Sequence, residues 1–220
     1  GAESLRFTIV DETIDVAKLL EKLPLENVAI YFKLNFISID FVKRINVIAL
    51  HKKAIPFYNL DPIGQLAKEG NWFTTKDKNN FDTLNLLSTA IPESSIISID
   101  AGLYQNAGAN MVQQIAYALA HANEYFNRIP IINKPIVFEI SVGTNYFFEI
   151  AKLRALRLLF NLIAKEYNHN SECHLFVSPT KRNKTLYDYN INMLRTTTEC
   201  MSAIIGGADT IANLPYDSLY

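Results

Sequence analysis

The stretch from Ile97 to Asn110, "ISIDAGLYQNAGAN", runs from an apolar strand into a loop of small residues and then into the start of a helix. A strand, a short loop and a helix form the repeating unit of proteins with parallel sheets. In such folds, catalytic groups usually stand at the carboxyl end of a strand. The residues offered there are Asp100, Leu103, Tyr104, Gln105 and Asn106. The stretch therefore predicts an α/β fold whose active-site-like loop has one carboxylate and no basic residue.

The same alternation of strands and helices continues along the chain. Seven apolar or β-branched runs predict strands: "SLRFTI", "NVAIYFKL", "AIPFYNL", "SIISIDA", "IVFEISV", "CHLFVS" and "DTIANLP". The segments between them have helical periodicity, which predicts right-handed crossovers and a parallel sheet. This pattern favours a (β/α)8 TIM-barrel-like fold over a doubly wound open sheet, although the two patterns are similar. A complete barrel takes about 250 residues, so we expect 220 residues to form one partial barrel domain, 1–220, of about seven β/α units.

Three helices have apolar stripes that predict buried faces. The longest is predicted from Asn145 to Tyr167, capped by Thr144 or Asn145, and its inward residues are Phe148, Ala151, Ala155, Leu158 and Leu162. A second runs from about Asn110 to Phe126, with Met111, Ile115, Ala118 and Ala122 inward. A third is predicted to begin near Asp188 and to end at Gly206 and Gly207, with Leu194, Thr198, Met201 and Ile205 inward.

Composition and charge exclude several classes of protein. The formal net charge is −1, with 21 basic and 22 acidic residues interspersed, so the basic surface of a nucleic-acid-binding protein is not expected. No apolar run reaches the roughly 20 residues of a membrane span, and the first residues do not resemble a secretory signal. We therefore expect a cytoplasmic protein that binds neither nucleic acid nor membrane. Cys173 and Cys200 are expected to be free thiols, and no residue spacing predicts a metal site.

The candidate binding residues each have a structural interpretation that the residues favour over the functional one. Gly102 and Gly108 precede a helix and could cradle an anion, but they also suit a tight turn. Arg154 and Arg157 could bind phosphate or form a solvated helix face. Lys181, Arg182 and Lys184 lie in "TKRNK", which is either a ligand loop or a solvated loop. The sequence has no nucleophile elbow, no H-E-x-x-H and no paired carboxylates at a suggestive spacing, so the residues alone permit an enzyme without supporting one.

Three longer segments resemble one known family. "NYFFEIAKLRALRLLF" is similar to a helix segment of methylmalonyl-CoA mutases, "LRTTTECMSAIIGGADTIANLPYD" resembles a second family segment, and "ISIDAGLYQNAGAN" resembles the family's active-site loop. The resemblance extends from about Leu5 to Tyr220, with the motifs in the family's order. The phrase "RNKTLYDYNINMLRTTTECMSA" looks closest to the small, or beta, subunit of the bacterial two-chain enzymes.

The resemblance implies a fold, a reaction and a partner. Family members have a TIM barrel that binds CoA thioesters and a separate domain that presents adenosylcobalamin, and they interconvert methylmalonyl-CoA and succinyl-CoA through radicals. In two-chain members the large subunit is catalytic and the small subunit is its inactive relative. We therefore expect a heterodimer with a large subunit that holds adenosylcobalamin. We expect no cofactor and no cobalamin-binding domain in this chain, a barrel-domain fragment.

The matched positions point to an inactive copy. Aligning the shared Ile-Ser-Ile and Ala-Gly-Ala places the family's catalytic histidine at Leu103. The arginine that holds the substrate carboxylate falls near Glu69 by a looser alignment. No histidine here is followed by glycine three residues later, so the family's lower cobalt ligand is absent. Gly102, Tyr104 and Gln105 remain as vestigial candidates at the barrel mouth.

Two other interpretations stay open at this point. One is a regulatory barrel that binds a CoA thioester. The other is an independent barrel enzyme that uses different groups, such as Asp100, Tyr104 and Gln105. An open edge of a parallel sheet can also pair with another chain, so we expect the fragment to self-associate.

Overall fold

The computed structural model describes residues 2–132 and 134–218. Its strands are β1 (Ser4–Ile9), β2 (Ala29–Leu34), β3 (Ile55–Leu60), β4 (Ser95–Asp100), β5 (Ile136–Val142), β6 (Cys173–Pro179) and β7 (Thr210–Ile211). Its helices are α1 (Val16–Leu20), α2 (Ile39–His51), α3 (Pro62–Glu69), α4 (Asp77–Ala90), α5 (Gly102–Asn106), α6 (Met111–Arg128), α7 (Tyr146–Glu166) and α8 (Ile191–Gly206).

Seven strands stand in the sheet in the order in which they occur in the chain, and helices separate each from the next. This topology confirms the α/β prediction and is that of an incomplete (β/α)8 TIM barrel. Each strand run quoted above corresponds to one strand, although β6 extends one residue beyond its run and β7 covers only two residues of its run. The helix predicted from Asn145 to Tyr167 is α7, and the one predicted from Asn110 to Phe126 is α6.

The chain forms two compact units. The first holds residues up to Ser98 together with Phe126–Ile136, and the second holds Ile99–Tyr125 together with the residues from Val137 onward. The division therefore falls inside β4 and inside α6.

Aromatic side chains order the strands of the first unit. β1 pairs with β2 and β2 with β3, both in parallel. The register puts Phe7 beside Phe32 and Phe32 beside Tyr58, and their rings stack with centroids 6.1 and 5.7 Å apart. On the other face Tyr31 stacks on Phe57 at 4.7 Å. Because a shift of one residue would send these side chains to opposite faces, the stacks fix the register.

Local signals place the helix ends of the first unit. The Ser38 hydroxyl accepts a hydrogen bond from the N–H of Phe41 and caps α2. Asp61 caps α3 through the N–H of Gly64, and Pro62 occupies the first turn, where its missing N–H costs nothing. α3 ends at Gly70, which has φ of +73°.

The second unit contains β5, β6 and β7, which helices α7 and α8 cover. Its core packs Phe138 of β5 against Phe160 of α7, with ring centroids 5.1 Å apart. Two arginines of α7 bind the end of α8: Arg154 donates to the carbonyl of Ile205, and Arg157 donates to that of Gly207. Arg157 also binds the carbonyl of Cys173 and the carboxylate of Asp209, so its guanidinium joins α7, α8 and β6. Arg157 is therefore a structural residue.

The predicted buried faces of α7 and α8 are wrong. Of the inward residues listed above for α7, only Ala155 is even half-buried, and all four listed for α8 are exposed. The buried residues are instead Glu149, Lys152, Leu153, Leu156, Phe160 and Ala164 of α7. In α8 they are Asn192, Thr196, Glu199, Ser202, Ala203 and Gly206. Each helix thus has two stripes at spacings of three and four, and the more polar stripe of α8 is the buried one.

Three smaller predictions about the helices are confirmed only in part. In α6, Ala118 and Ala122 are buried as predicted, whereas Met111 and Ile115 are only half-buried. α8 begins after Asn190, two residues later than the predicted cap Asp188, because residues 187–190 form turns. It ends at Gly206, and Gly207 caps it with φ of +86°, as expected. Asn145 precedes α7 but makes no capping side-chain bond.

Gly206 allows α8 to approach α7 closely. A Cβ on Gly206 would lie 2.6 Å from Leu153 Cδ1 and 3.2 Å from Leu153 Cβ, and Leu153 is fully buried.

We therefore expect Gly206→Ala to lower the free energy of unfolding by about 1–3 kcal/mol, because the added methyl group overpacks the buried contact with Leu153. Urea denaturation would measure this. The matched control is Thr197→Ala on the exposed side of α8, which should stay within about 0.5 kcal/mol of the parent; equal effects would contradict the packing argument.

Candidate functional site

A cleft opens in the second unit where β5 and β6 end and α6 and α7 begin. Its volume is about 330 Å³, which is within the range of small-molecule sites. It is lined by Gln105, Ala109, Asn110, Met111, Gly143, Thr144, Asn145, Glu149, Lys152, Thr180, Arg182 and Asn183. The carboxyl ends of strands are where a barrel fold places its ligands.

The loop after β4 contains the short helix α5 and is packed directly on β5. A Cβ on Gly102 would lie 2.7 Å from the Ser141 hydroxyl, so only glycine fits at this approach. Asp100 accepts a hydrogen bond from the N–H of Leu103 at 3.2 Å and fixes the first turn of α5. Gly108 has φ of +120° and allows the turn into α6. These contacts favour the tight-turn interpretation of both glycines.

The predicted mouth residues reach different surroundings. Leu103 is half-buried, and its side chain has no hydrogen-bonding atom. The hydroxyl of Tyr104 lies 2.6 Å from His121 Nε2, and its ring packs on Tyr117 with centroids 4.5 Å apart. Gln105 alone of the vestigial candidates lines the cleft, where its Oε1 accepts a hydrogen bond from Thr180 at 2.7 Å.

Arg182 closes one side of the cleft by binding backbone. Its guanidinium donates to the carbonyl of Gln105 at 2.8 Å and to that of Ala109 at 3.3 Å. The N–H of Lys181 donates to the side chain of Asn106. The loop after β6 is therefore tied to the loop after β4, and the Arg182 side chain is held at the cleft.

A buried ion pair forms the floor of the cleft, and the sequence analysis missed it. Glu149 and Lys152 are one turn apart on α7, and their charged atoms are in contact with side chains only 2–3 % exposed. Glu149 also accepts the N–H of Gly143 at 2.9 Å, and Lys152 donates to the carbonyl of Ser141 at 2.6 Å. Burial lowers the pKa of Lys152, against the opposing effect of Glu149. The glutamate and lysine in "FFEIAK", three residues apart, were the available signal.

A second buried ion pair corrects the interpretation of Lys184. Its ammonium lies 2.7 Å from Glu199 Oε2 of α8, and both side chains are at most 1 % exposed. Asn183 donates to the other oxygen of Glu199. Burial raises the pKa of Glu199, while its bonds to Asn183 and Lys184 oppose that rise. Lys184 is thus neither in a solvated loop nor free for a phosphate.

Glu69 lies in the first unit. It is the last residue of α3, is exposed, and pairs with Lys68 at 2.8 Å. An exposed pair of this kind contributes little to stability.

Metal-ligating side chains are not clustered in the part of the chain that the structure describes. Across 2–132 and 134–218, no group of three His, Cys, Asp or Glu side chains could hold a metal ion. His121 is buried, and its Nε2 lies against the Tyr104 hydroxyl. Cys173 and Cys200 are both free thiols, as expected, and burial raises the pKa of Cys173 to about 12. None of the described helices is long and apolar enough to cross a membrane.

A parallel α/β fold of the barrel type, with a ligand-sized cleft at its strand ends, defines the class of protein. The family model described as methylmalonyl-CoA mutase matches residues 8–220. The chain belongs to the methylmalonyl-CoA mutase family.

The relatives include both kinds of subunit. The chain is 36% identical over 152 residues to the methylmalonyl-CoA mutase small subunit of Porphyromonas gingivalis, which covers 63% of this chain and 25% of that protein. It is 31% identical over 168 residues to the small subunit of Propionibacterium freudenreichii subsp. shermanii, covering 71% and 26%. It is 25% identical over 222 residues to the large subunit of Streptomyces virginiae, covering 92% and 30%. The chain spans about a quarter of the length of the small subunits that it matches.

Substitution of Lys152 measures how much the buried ion pair at the cleft contributes to the free energy of unfolding. We expect Lys152→Met to lower the free energy of unfolding by about 3–5 kcal/mol, because it leaves the Glu149 carboxylate buried without its partner. The double variant Glu149→Gln/Lys152→Met should be less destabilised than the two single effects combined. Chemical denaturation provides the measurement, with Lys165→Met on the exposed side of α7 as control. If both lysine variants lost the same small amount, Lys152 would not depend on a buried partner.

Proposed function

We propose that this chain is the barrel part of a methylmalonyl-CoA mutase small subunit that does not itself catalyse. It pairs with a large catalytic subunit and supports the isomerisation of methylmalonyl-CoA and succinyl-CoA. Adenosylcobalamin supplies the radical chemistry in that assembly, and the proposal places it in the partner. The assembly is expected in the cytoplasm.

The observation that carries this proposal is the residue at the position of the family's catalytic histidine. Leu103 cannot donate a hydrogen bond to a thioester carbonyl, and its backbone N–H is already bound by Asp100. The polar groups beside it are engaged as well, since Tyr104 contacts His121 and Gln105 binds Thr180. Catalysis by preorganised donors needs groups aimed at the reacting atoms, and these groups are aimed at one another.

A further feature supports an inactive copy. Glu69, near the position of the substrate-binding arginine, is an exposed carboxylate that would repel a substrate carboxylate. The same features count against an independent barrel enzyme, because the titratable groups that line the cleft pair internally or bind backbone.

The cleft favours a CoA-thioester-binding regulatory barrel as the second candidate. Its volume of about 330 Å³ suits a part of such a ligand, and Arg182 stands at its side. Calorimetric titration of the full-length chain with a non-reactive CoA thioester separates the two candidates. Micromolar binding that survives without the large subunit would favour the regulatory function.

Co-elution with the large subunit tests the main proposal. We expect the full-length chain to elute together with the cobalamin-binding subunit of its organism, and mutase turnover to follow the complex. The chain alone, given adenosylcobalamin and methylmalonyl-CoA, should show no turnover.

Leu103→His provides the matched variant, because it restores the family residue at the decisive position. It should still show no turnover alone, because Glu69, near the position of the substrate-binding arginine, would repel the substrate carboxylate. Separate elution, or turnover by either form alone, would contradict the proposal.

A further inference from the structure

The cleft described above lies where two long helices begin. α6 and α7 have 18 and 21 residues and begin at Met111 and Tyr146. Asn110, Met111 and Asn145, at these two helix ends, line the cleft. The N-terminal end of a helix carries the positive end of its dipole and backbone N–H groups without helical partners. Two such ends at one cleft favour an anionic ligand.

The charged side chains of the cleft leave a net positive charge. Those that line it are Glu149, Lys152 and Arg182. Glu149 and Lys152 are in contact at the floor, and their charges offset each other. The charge of Arg182, which is exposed, therefore remains. A cation would be repelled here, whereas an anion would be attracted.

The guanidinium of Arg182 is held in place with donors to spare. Its bonds to the carbonyls of Gln105 and Ala109 both come from Nη1. Among the described residues, its Nη2 and Nε bond to none, so these N–H groups are available to a ligand. A guanidinium presents its donors in a planar fork that matches the oxygens of a carboxylate or phosphate.

A buried glutamine behind the cleft has an unsatisfied side chain. Gln114 of α6 is fully buried, and within the part of the chain that the structure describes neither polar atom of its amide has a hydrogen-bond partner. Burial of such a group is unfavourable, and proteins satisfy nearly all of them. A ligand oxygen at the inner end of the cleft would accept a hydrogen bond from this amide.

The position of Gln114 on α6 directs it toward the cleft. At about 100° per residue, Gln114 lies between Asn110 and Met111 in direction, one turn further along the helix, and both of these residues line the cleft. Long side chains of a helix lean toward its N-terminal end. That end of α6 is the one at the cleft, so the unsatisfied amide approaches the cleft from its inner side.

The remaining polar groups and the size of the cleft limit the ligand further. Gln105 Oε1 accepts the hydroxyl of Thr180, and its Nε2 donates to no described residue. Asn145 makes no capping side-chain bond, so its amide is also available. A volume of about 330 Å³ is at the small end of ligand sites. The ligand is therefore compact and rich in acceptor oxygens.

We propose that this cleft binds a compact oxyanion, the carboxylate or phosphate group of a small free molecule, between the N-terminal ends of α6 and α7, with Arg182 and Gln114 as donors. The inference goes beyond the proposed function, because it needs neither the large subunit nor a CoA thioester.

Calorimetric titration of the full-length chain with inorganic phosphate and with malonate, at constant ionic strength, tests the site. We expect at least one of them to bind with a Kd of about 1 mM or below. Arg182→Gln should weaken that binding about tenfold or more, because it removes a charge-assisted hydrogen bond. The matched control is Lys181→Gln, which removes the neighbouring exposed cation outside the cleft lining and should bind within about twofold of the parent.

Gln114→Met tests the buried donor separately. Methionine conserves the volume and removes the unsatisfied amide, so the melting temperature of the free variant should equal or exceed that of the parent. Its affinity for the anion should fall about three- to tenfold. A melting temperature several degrees lower, or an unchanged affinity, would overturn the role of Gln114. If Arg182→Gln does not fold, this variant decides whether the anion binds at the cleft.

The remaining outcomes separate this inference from the proposed function. Which probe binds distinguishes a phosphate ligand from a carboxylate ligand. Binding of neither probe, or equal weakening by Arg182→Gln and Lys181→Gln, would overturn the site. Binding of a CoA thioester without binding of either probe would overturn it as well and would leave the regulatory barrel standing. If a probe binds as expected and the chain does not pair with the large subunit, the proposed function fails while the site stands.

Discussion

The buried bonds that Glu149 and Lys152 of α7 make with the end of β5 fix the orientation of the longest helix. Both side chains are buried, and each also binds backbone at the end of β5, through Gly143 and Ser141. Both residues lie on α7 and stay beside each other at any rotation of the helix, but only this rotation also gives Glu149 the N–H of Gly143 and Lys152 the carbonyl of Ser141. Buried charges without these partners would cost several kcal/mol. That rotation sets both the floor of the cleft and the apolar surface on the other side.

The orientation of α8 is likewise fixed by buried bonds to another part of the chain. Glu199 of α8 faces inward because Lys184 and Asn183 reach it from the loop after β6. This contact orders a loop that composition alone suggests is solvated, and Arg182 from the same loop then binds the loop after β4. The cleft thus keeps the architecture of a barrel mouth. Packing and hydrogen bonding maintain such loops, whereas chemistry resides in a few side chains, so the architecture does not by itself imply an activity.

The order and type of the strands and helices could be predicted from the sequence, whereas the buried faces of α7 and α8 could not. Strand runs and helix stops are local signals, and the seven strands and the stop at Gly207 are where those signals predict them. The faces of α7 and α8 depend on partners distant in sequence, such as Lys184 for Glu199. Hydrophobic periodicity assigns the more apolar stripe to the core and cannot register that polar residues satisfy one another there. The site followed the same division. The sequence pointed to the loop after β4, whose Gln105 lines the cleft, whereas Glu149 and Lys152 were overlooked because a spacing of three residues does not show that the pair is buried.

The proposed non-catalytic role predicts how the complex responds to a change at Leu103. In the assembly of this chain with its large subunit, Leu103 should have no contact with reacting atoms. The decisive measurement is the kcat of the complex carrying Leu103→Ala in this chain, beside the parent complex. We predict a kcat within twofold of the parent. A loss of 100-fold or more, with the complex intact by size-exclusion chromatography, would mean that this chain takes part in the reaction and would contradict the account.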